Sequence, residues 1–121
     1  MRILVVDDDP EVIAVIEEML GTNGFEVTVV GSAGRARLRL AANHYEVVLI
    51  DAPQSLFSEI ALAHEVRAGG TPVLMMPAGA DQVPRLEAAQ LPYINKPFTV
   101  DELLAAIRAV TAGNAGSSDR G

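Results

Sequence analysis

The chain has 121 residues, of which 50% are hydrophobic, no cysteine and a formal net charge of −7. That length makes one domain with a real core, and the missing thiols exclude disulfide and thiolate–metal frameworks. The acidic balance argues against binding of nucleic acid or an anionic membrane by this domain alone. The apolar run at 3–6 is far too short for a leader or a membrane span, so a cytoplasmic setting is expected.

Residues 2–6 (RILVV) read as a fully buried strand, because the β-formers run without alternation. Asp9 and Pro10 open a helix carrying Val12, Val15, Ile16, Met19 and Leu20 at helical spacing, and Gly21–Gly24 ends it. Phe25–Val30 is the next strand. Residues 33–43 are ambiguous: RARLRL alternates like a strand, but its Ala and Leu content and its place between two strands favour a helix. Val47–Ile50 is a continuous apolar strand ending in Asp51. A helix from about Leu56 to Ala68 stops at Gly69-Gly70.

Pro72–Met76 is a fourth strand, with proline tolerated at its start. The stretch 77–92 holds Pro77, Gly79, Pro84 and Pro92 and has room only for a short helix, near Pro84–Gln90. Tyr93 and Ile94 form a brief fifth strand before Lys96-Pro97. Thr99 and Glu102 make a capping box for a last helix with Leu103, Leu104, Ile107 and Val110 on one face. Residues 1–112 then form the domain, and the small, glycine-rich run at 113–121 is expected as a flexible tail or linker stub.

Alternating strands and helices point to a parallel α/β sheet covered on both faces, with function at the carboxyl ends of the strands. Asp7, Asp8 and Asp51 stand at such ends, and Lys96 lies just past the fifth strand. Carboxylates gathered there repel one another unless cations join them. The lysine supplies one positive charge, and a divalent metal is the natural supply of the rest. Lys96 is also the only lysine beside eight arginines, as if a compact ammonium were needed at that spot. His44, His64 and the arginines at 35, 37 and 39 read as solvated helix or surface positions, and Met75-Met76 as core.

Taken in order, ILVVDDDP, HYEVVLID, TPVLMM and YINKPF resemble the receiver domain of two-component response regulators over about the first 112 residues. The resemblance implies a flavodoxin-like (βα)5 fold with strand order 2-1-3-4-5. It also implies roles. Asp51 matches the phosphoacceptor, a carboxylate nucleophile. Asp7 and Asp8 match the acid pair that, with Asp51 and the backbone carbonyl of Pro53, holds Mg²⁺, or Mn²⁺ in its place. Lys96 matches the lysine that pairs with the acceptor, and the backbone N–H groups of Ala52 and Ala78 face the phosphoryl oxygens. The implied partners are a sensor histidine kinase or phosphotransfer protein and a downstream protein or fused output domain; dimerisation stays open.

The pattern breaks in four places. Pro77 stands where the family has a switch Thr or Ser, so the hydroxyl that draws the loop toward the phosphoryl group is gone. Asp51 is followed by APQSLFSEI rather than the usual Met-Pro and later glycine, with Glu59 near the glycine position. The segments from Asp51 to Met76 and from Pro77 to Lys96 are each short by about a helical turn. Prolines also frame the reduced fourth helix. Tyr93 matches the aromatic that swings when the hydroxyl moves, but its trigger is missing.

The expectation is an atypical receiver that accepts a phosphoryl group on Asp51, or binds a protein partner independently of phosphorylation, and that is not an enzyme beyond self-phosphorylation and autodephosphorylation. The alternative is a small Mg²⁺-dependent phosphohydrolase with an aspartyl-phosphate intermediate, for which the motifs offer no general base. A nucleotide binder would need a glycine-rich loop where DDDP stands.

Overall fold

Four short apolar runs become the strands of one parallel sheet: β1 (Arg2–Val6), β2 (Glu26–Val30), β3 (Val47–Ala52) and β4 (Val73–Pro77), in the order β2-β1-β3-β4. The computed structural model describes residues 1–52, 57–77 and 79–120. The helices are α1 (Pro10–Gly21), α2 (Ala33–Ala42), α3 (Phe57–Ala68), α4 (Val83–Ala88) and α5 (Val100–Arg120), with a 3-10 turn at Ala80–Gln82 before α4.

Strand parity sorts the core into two layers. Leu4, Val6, Val48, Ile50 and Met75 face α2, α3 and α4, where Ala36, Leu62, Val66 and Leu86 cover them. Ile3, Val5, Leu49, Leu74 and Met76 face α1 and α5, against Ile16, Leu20, Leu103 and Ile107. Both faces are dry, which explains why the strand sequences run apolar without alternation. Each buried Leu or Ile contributes roughly 1.5–3 kcal/mol, so the strand ends are held firmly where they leave the core.

The helix starts follow their side chains. Asp9 accepts from the Glu11 N–H at 3.0 Å, with Pro10 in the first turn of α1. Ser32 accepts from the Arg35 N–H at 3.2 Å and starts α2. Buried Ala33 and Ala36 then settle the period-two ambiguity of RARLRL in favour of helix. At α5 the capping box is reciprocal: Glu102 accepts from the Thr99 N–H at 2.8 Å, and Thr99 accepts from the Glu102 N–H at 3.1 Å.

Several boundaries differ from expectation. β4 ends on Pro77 rather than Met76, because Pro77 still pairs with Ala52 of β3. The short helix lies at Val83–Ala88, and Gln90, at φ +58°, turns the chain back toward the sheet. The fifth strand is reduced to one parallel bridge, Met75 to Tyr93. The Met75 N–H donates to Pro92 O and the Ile94 N–H to Met75 O, each at 2.9 Å. Pro92 has no N–H to extend that ladder, and the chain leaves at Asn95 to reach Lys96. The segment still lies beside β4, so the order expected of a flavodoxin-like sheet holds. The backbone of α5 is helical as far as Arg120, past the tail boundary expected at 113. Once a helix is nucleated each further residue adds a hydrogen bond, which offsets the roughly 1 kcal/mol that a glycine costs. The expected start of α3 at Leu56 lies outside the described residues.

Candidate functional site

The register brings the acids together. Val6 pairs with Val30 on one side and Ile50 on the other, so Asp7 and Asp51 emerge side by side from adjacent strands. Both continue the parity of Ile3, Val5, Val47 and Leu49 and therefore point to the α1/α5 face. The Asp7 N–H donates to Val30 O at 3.0 Å, which ties the ends of β1 and β2. One carboxylate oxygen from each of Asp7, Asp8 and Asp51 lies within 4.8 Å of the others.

Lys96 arrives from the opposite edge. Its N–H donates to Pro77 O at 3.2 Å, so the backbone at the end of β4 anchors the lysine. Its Nζ donates to Asp51 Oδ1 at 2.7 Å and lies 3.4 Å from Asp7 Oδ2. The Asp7 side chain is fully buried, while Lys96 and Asp51 keep 17% and 20% of their side-chain exposure. Asp7 also accepts from the Asp9 N–H at 3.0 Å. Asp8 is exposed.

Burial pushes the Asp51 carboxyl above the ordinary aspartate range. Lys96 pulls it back by hydrogen bond and charge, and Asp7 and Asp8 add to the upward push. Three carboxylates against one ammonium leave a formal excess of two negative charges. The donors are all hard carboxylate oxygens, gathered from one buried, one half-buried and one exposed residue, and beside them opens a cleft of about 90 Å³. That set fits a divalent oxygen-binding cation that keeps several waters. Such an ion would be held by Asp7, Asp8 and Asp51.

Pro53 and Ala78, expected to offer a carbonyl and an N–H, lie outside the described residues. Ala52 is fully buried and ends β3 beside Pro77. Tyr93 is half-buried, and its hydroxyl meets Glu87 Oε2 at 3.4 Å. Burial, and then the neighbouring Glu87, raise its pKa. His44, His64, Arg35, Arg37 and Arg39 are all exposed, and Arg37 pairs with Glu65 at 2.7 Å. Gly31, Ser32 and Glu59 also line the cleft of Asp7, Asp8 and Asp51, and no local pattern marks them for it. The signal that marks Ser32 is a serine placed between β2 and the alanine-rich run of α2, a cap position. Glu59 stood out only as a replaced glycine.

A family model for the response regulator receiver domain matches residues 3–108. The chain belongs to that family. The transcriptional regulatory protein KdpE of Mycobacterium tuberculosis is 33% identical over 97% of this chain and 54% of its own length. The DNA-binding response regulator MtrA of Mycolicibacterium smegmatis is 34% identical over 89% of this chain and 49% of its own. The receiver thus spans about half the length of the curated relatives it matches.

Among solved structures, it is similar to the receiver domain of a Pseudomonas aeruginosa sensor histidine kinase with a magnesium ion coordinated in its active-site cleft. That likeness has a TM-score of 0.79 and 28% identity, covering 92% of this chain and 97% of that one. A Thermotoga maritima response regulator in complex with Mg²⁺-BeF gives a TM-score of 0.78 and 25% identity over 90% and 97% of the two chains. Among the described residues of this receiver, no helix is long and apolar enough to cross a membrane.

Proposed function

We propose that this receiver takes a phosphoryl group onto Asp51 and passes the event on weakly, because the residue that would relay it is Pro77. The observation that carries the reading is the ion pair of 2.7 Å between Lys96 and Asp51, set against Asp7 and Asp8 at the strand ends. Asp51 is the nucleophile. Its oxygen attacks phosphorus, the bond from phosphorus to the donor breaks, and the donor leaves with that electron pair. Lys96, released from the carboxylate, holds a phosphoryl oxygen, and the Ala52 and Ala78 N–H groups offer further donors. Asp7, Asp8, Asp51 and the Pro53 carbonyl hold Mg²⁺, or Mn²⁺ in its place, which when bound neutralises charge on the transferring group.

The donor is a sensor histidine kinase or phosphotransfer protein. The apolar wall of Val12, Val15, Ile16, Pro97 and Phe98 opens beside Lys96 and gives such a protein a dry surface next to the acceptor. Residues 1–112 act as the receiver unit in the cytoplasm, and 113–121 lead toward an output domain or partner. Output is attenuated: a population shift needs a contact that differs between the two states, and Pro77 has no hydroxyl to supply it. Nothing in the site favours steady phosphohydrolase turnover over acceptance.

The test is intact-mass analysis after incubation with Mg²⁺ and a small acyl-phosphate donor. The parent is expected to gain the mass of one phosphoryl group, stable in acid and labile in base, and Asp51→Asn to gain none. An unmodified parent would overturn the reading.

A further inference from the structure

Glu59 sits in the first turn of α3 and lines the same cleft as Asp7, Asp8, Gly31, Ser32 and Asp51. An acidic residue there has an ordinary use, since it complements the helix dipole. That use would be served as well by a carboxylate turned to open solvent. On the wall of a cleft that already has an excess of negative charge, a fourth carboxylate is unfavourable unless a cation enters. Glu59 is not one of the trio whose carboxylate oxygens gather within 4.8 Å of one another.

We propose that Glu59 is an outer carboxylate of the divalent-cation pocket, acting on a water of the bound ion and not on the ion itself. The inference rests on the Mg²⁺ reading above and deepens it. Mg²⁺ dehydrates reluctantly and keeps several waters, which need acceptors on the cleft wall. Among the described residues of that wall, Glu59 is the acid left over once the trio is assigned. Residues in such outer positions typically change metal affinity by about 10- to 100-fold when replaced. Glu59 is half-buried and partly screened by solvent, so the low end, about tenfold, is expected.

The experiment is a calorimetric titration of MgCl₂ into the full chain, with thermal melts in EDTA as a check on folding. Glu59→Gln is expected to weaken Mg²⁺ binding by about tenfold, and Glu59→Asp, which keeps the charge, by no more than about threefold. Glu17→Gln, on the exposed side of α1, removes the same net charge away from the cleft and should leave the affinity unchanged. A role confined to the helix dipole would lower the EDTA melting temperature of Glu59→Gln but not move its Mg²⁺ affinity, and that result overturns the inference alone. Equal weakening by Glu17→Gln also overturns it, since bulk charge would then explain the effect. A parent that binds no Mg²⁺ overturns both this inference and the metal reading it rests on.

Discussion

Replacing Lys96 with methionine keeps an unbranched stem and removes the one ammonium among the strand-end carboxylates. In the parent, Nζ lies 2.7 Å from Asp51 and 3.4 Å from Asp7, whose side chain has no exposure. Deleting one partner of a buried ion pair costs about 3–5 kcal/mol. Lys96 and Asp51 retain 17% and 20% of their side-chain exposure, so water takes part of the load, and about 2–3 kcal/mol is the discounted figure. In a domain of this size about 1 kcal/mol moves the melting temperature by about 4 °C, which makes the metal-free loss roughly 8–12 °C.

Two dependences separate this cause from a packing defect. The loss should shrink as pH falls into the carboxylate range, because protonation removes the charge that Lys96 neutralised. Mg²⁺ at about 100 times its dissociation constant should add about 2.7 kcal/mol to the folded variant. It should narrow the gap to the parent, because the variant's carboxylates have no ammonium beside them and bind the cation more tightly. Circular-dichroism melts of parent and Lys96→Met, in EDTA and in MgCl₂ across pH, measure all three effects. An unchanged melting temperature in EDTA at neutral pH would refute the electrostatic reasoning.

Asp51→Asn should act in the opposite direction. The folded carboxyl is raised above its unfolded value, so Asp51 favours the fold below the unfolded range and loses that contribution as pH rises through the folded pKa. In metal-free urea titrations the variant is expected to be more stable than the parent near about pH 7–8, with the gap closing toward about pH 4. Thr99→Ala removes the α5 cap and should cost about 1 kcal/mol by denaturant midpoint, independent of Mg²⁺. Pro77→Thr restores a hydroxyl at the end of β4. Under a phosphoryl mimic its amide shifts should extend to Tyr93, where those of the parent do not.

Much of this arrangement was legible because strand ends obey parity. Asp7 and Asp51 follow unbroken apolar runs, and a parallel sheet leaves them no other edge to occupy. Thr99 with Glu102, and Asp9 with Pro10, named their helix starts by chemistry acting within a few residues. What the chain did not disclose depends on contacts between distant segments. RARLRL fits a strand or a helix until Ala33 and Ala36 find the sheet. Pro77 belongs to β4 because Ala52 lies beside it, not because of its own preference. Tyr93 and Ile94 have strand-forming side chains, but Pro92 and the turn at Gln90 leave only one bridge. Glu59 lines the cleft of the acids only through the placement of α3, and no local pattern specifies that.

The central claim is that the acceptor site is retained while its link to the Tyr93 face is broken. Amide NMR spectra of the parent with and without Mg²⁺ and beryllofluoride test it most directly. The expected result is large shifts around Asp7, Asp8, Asp51 and Lys96, with Tyr93 and α4 nearly unmoved. Large shifts running on through Tyr93, α4 and α5, or no shifts at Asp51 at all, would contradict it.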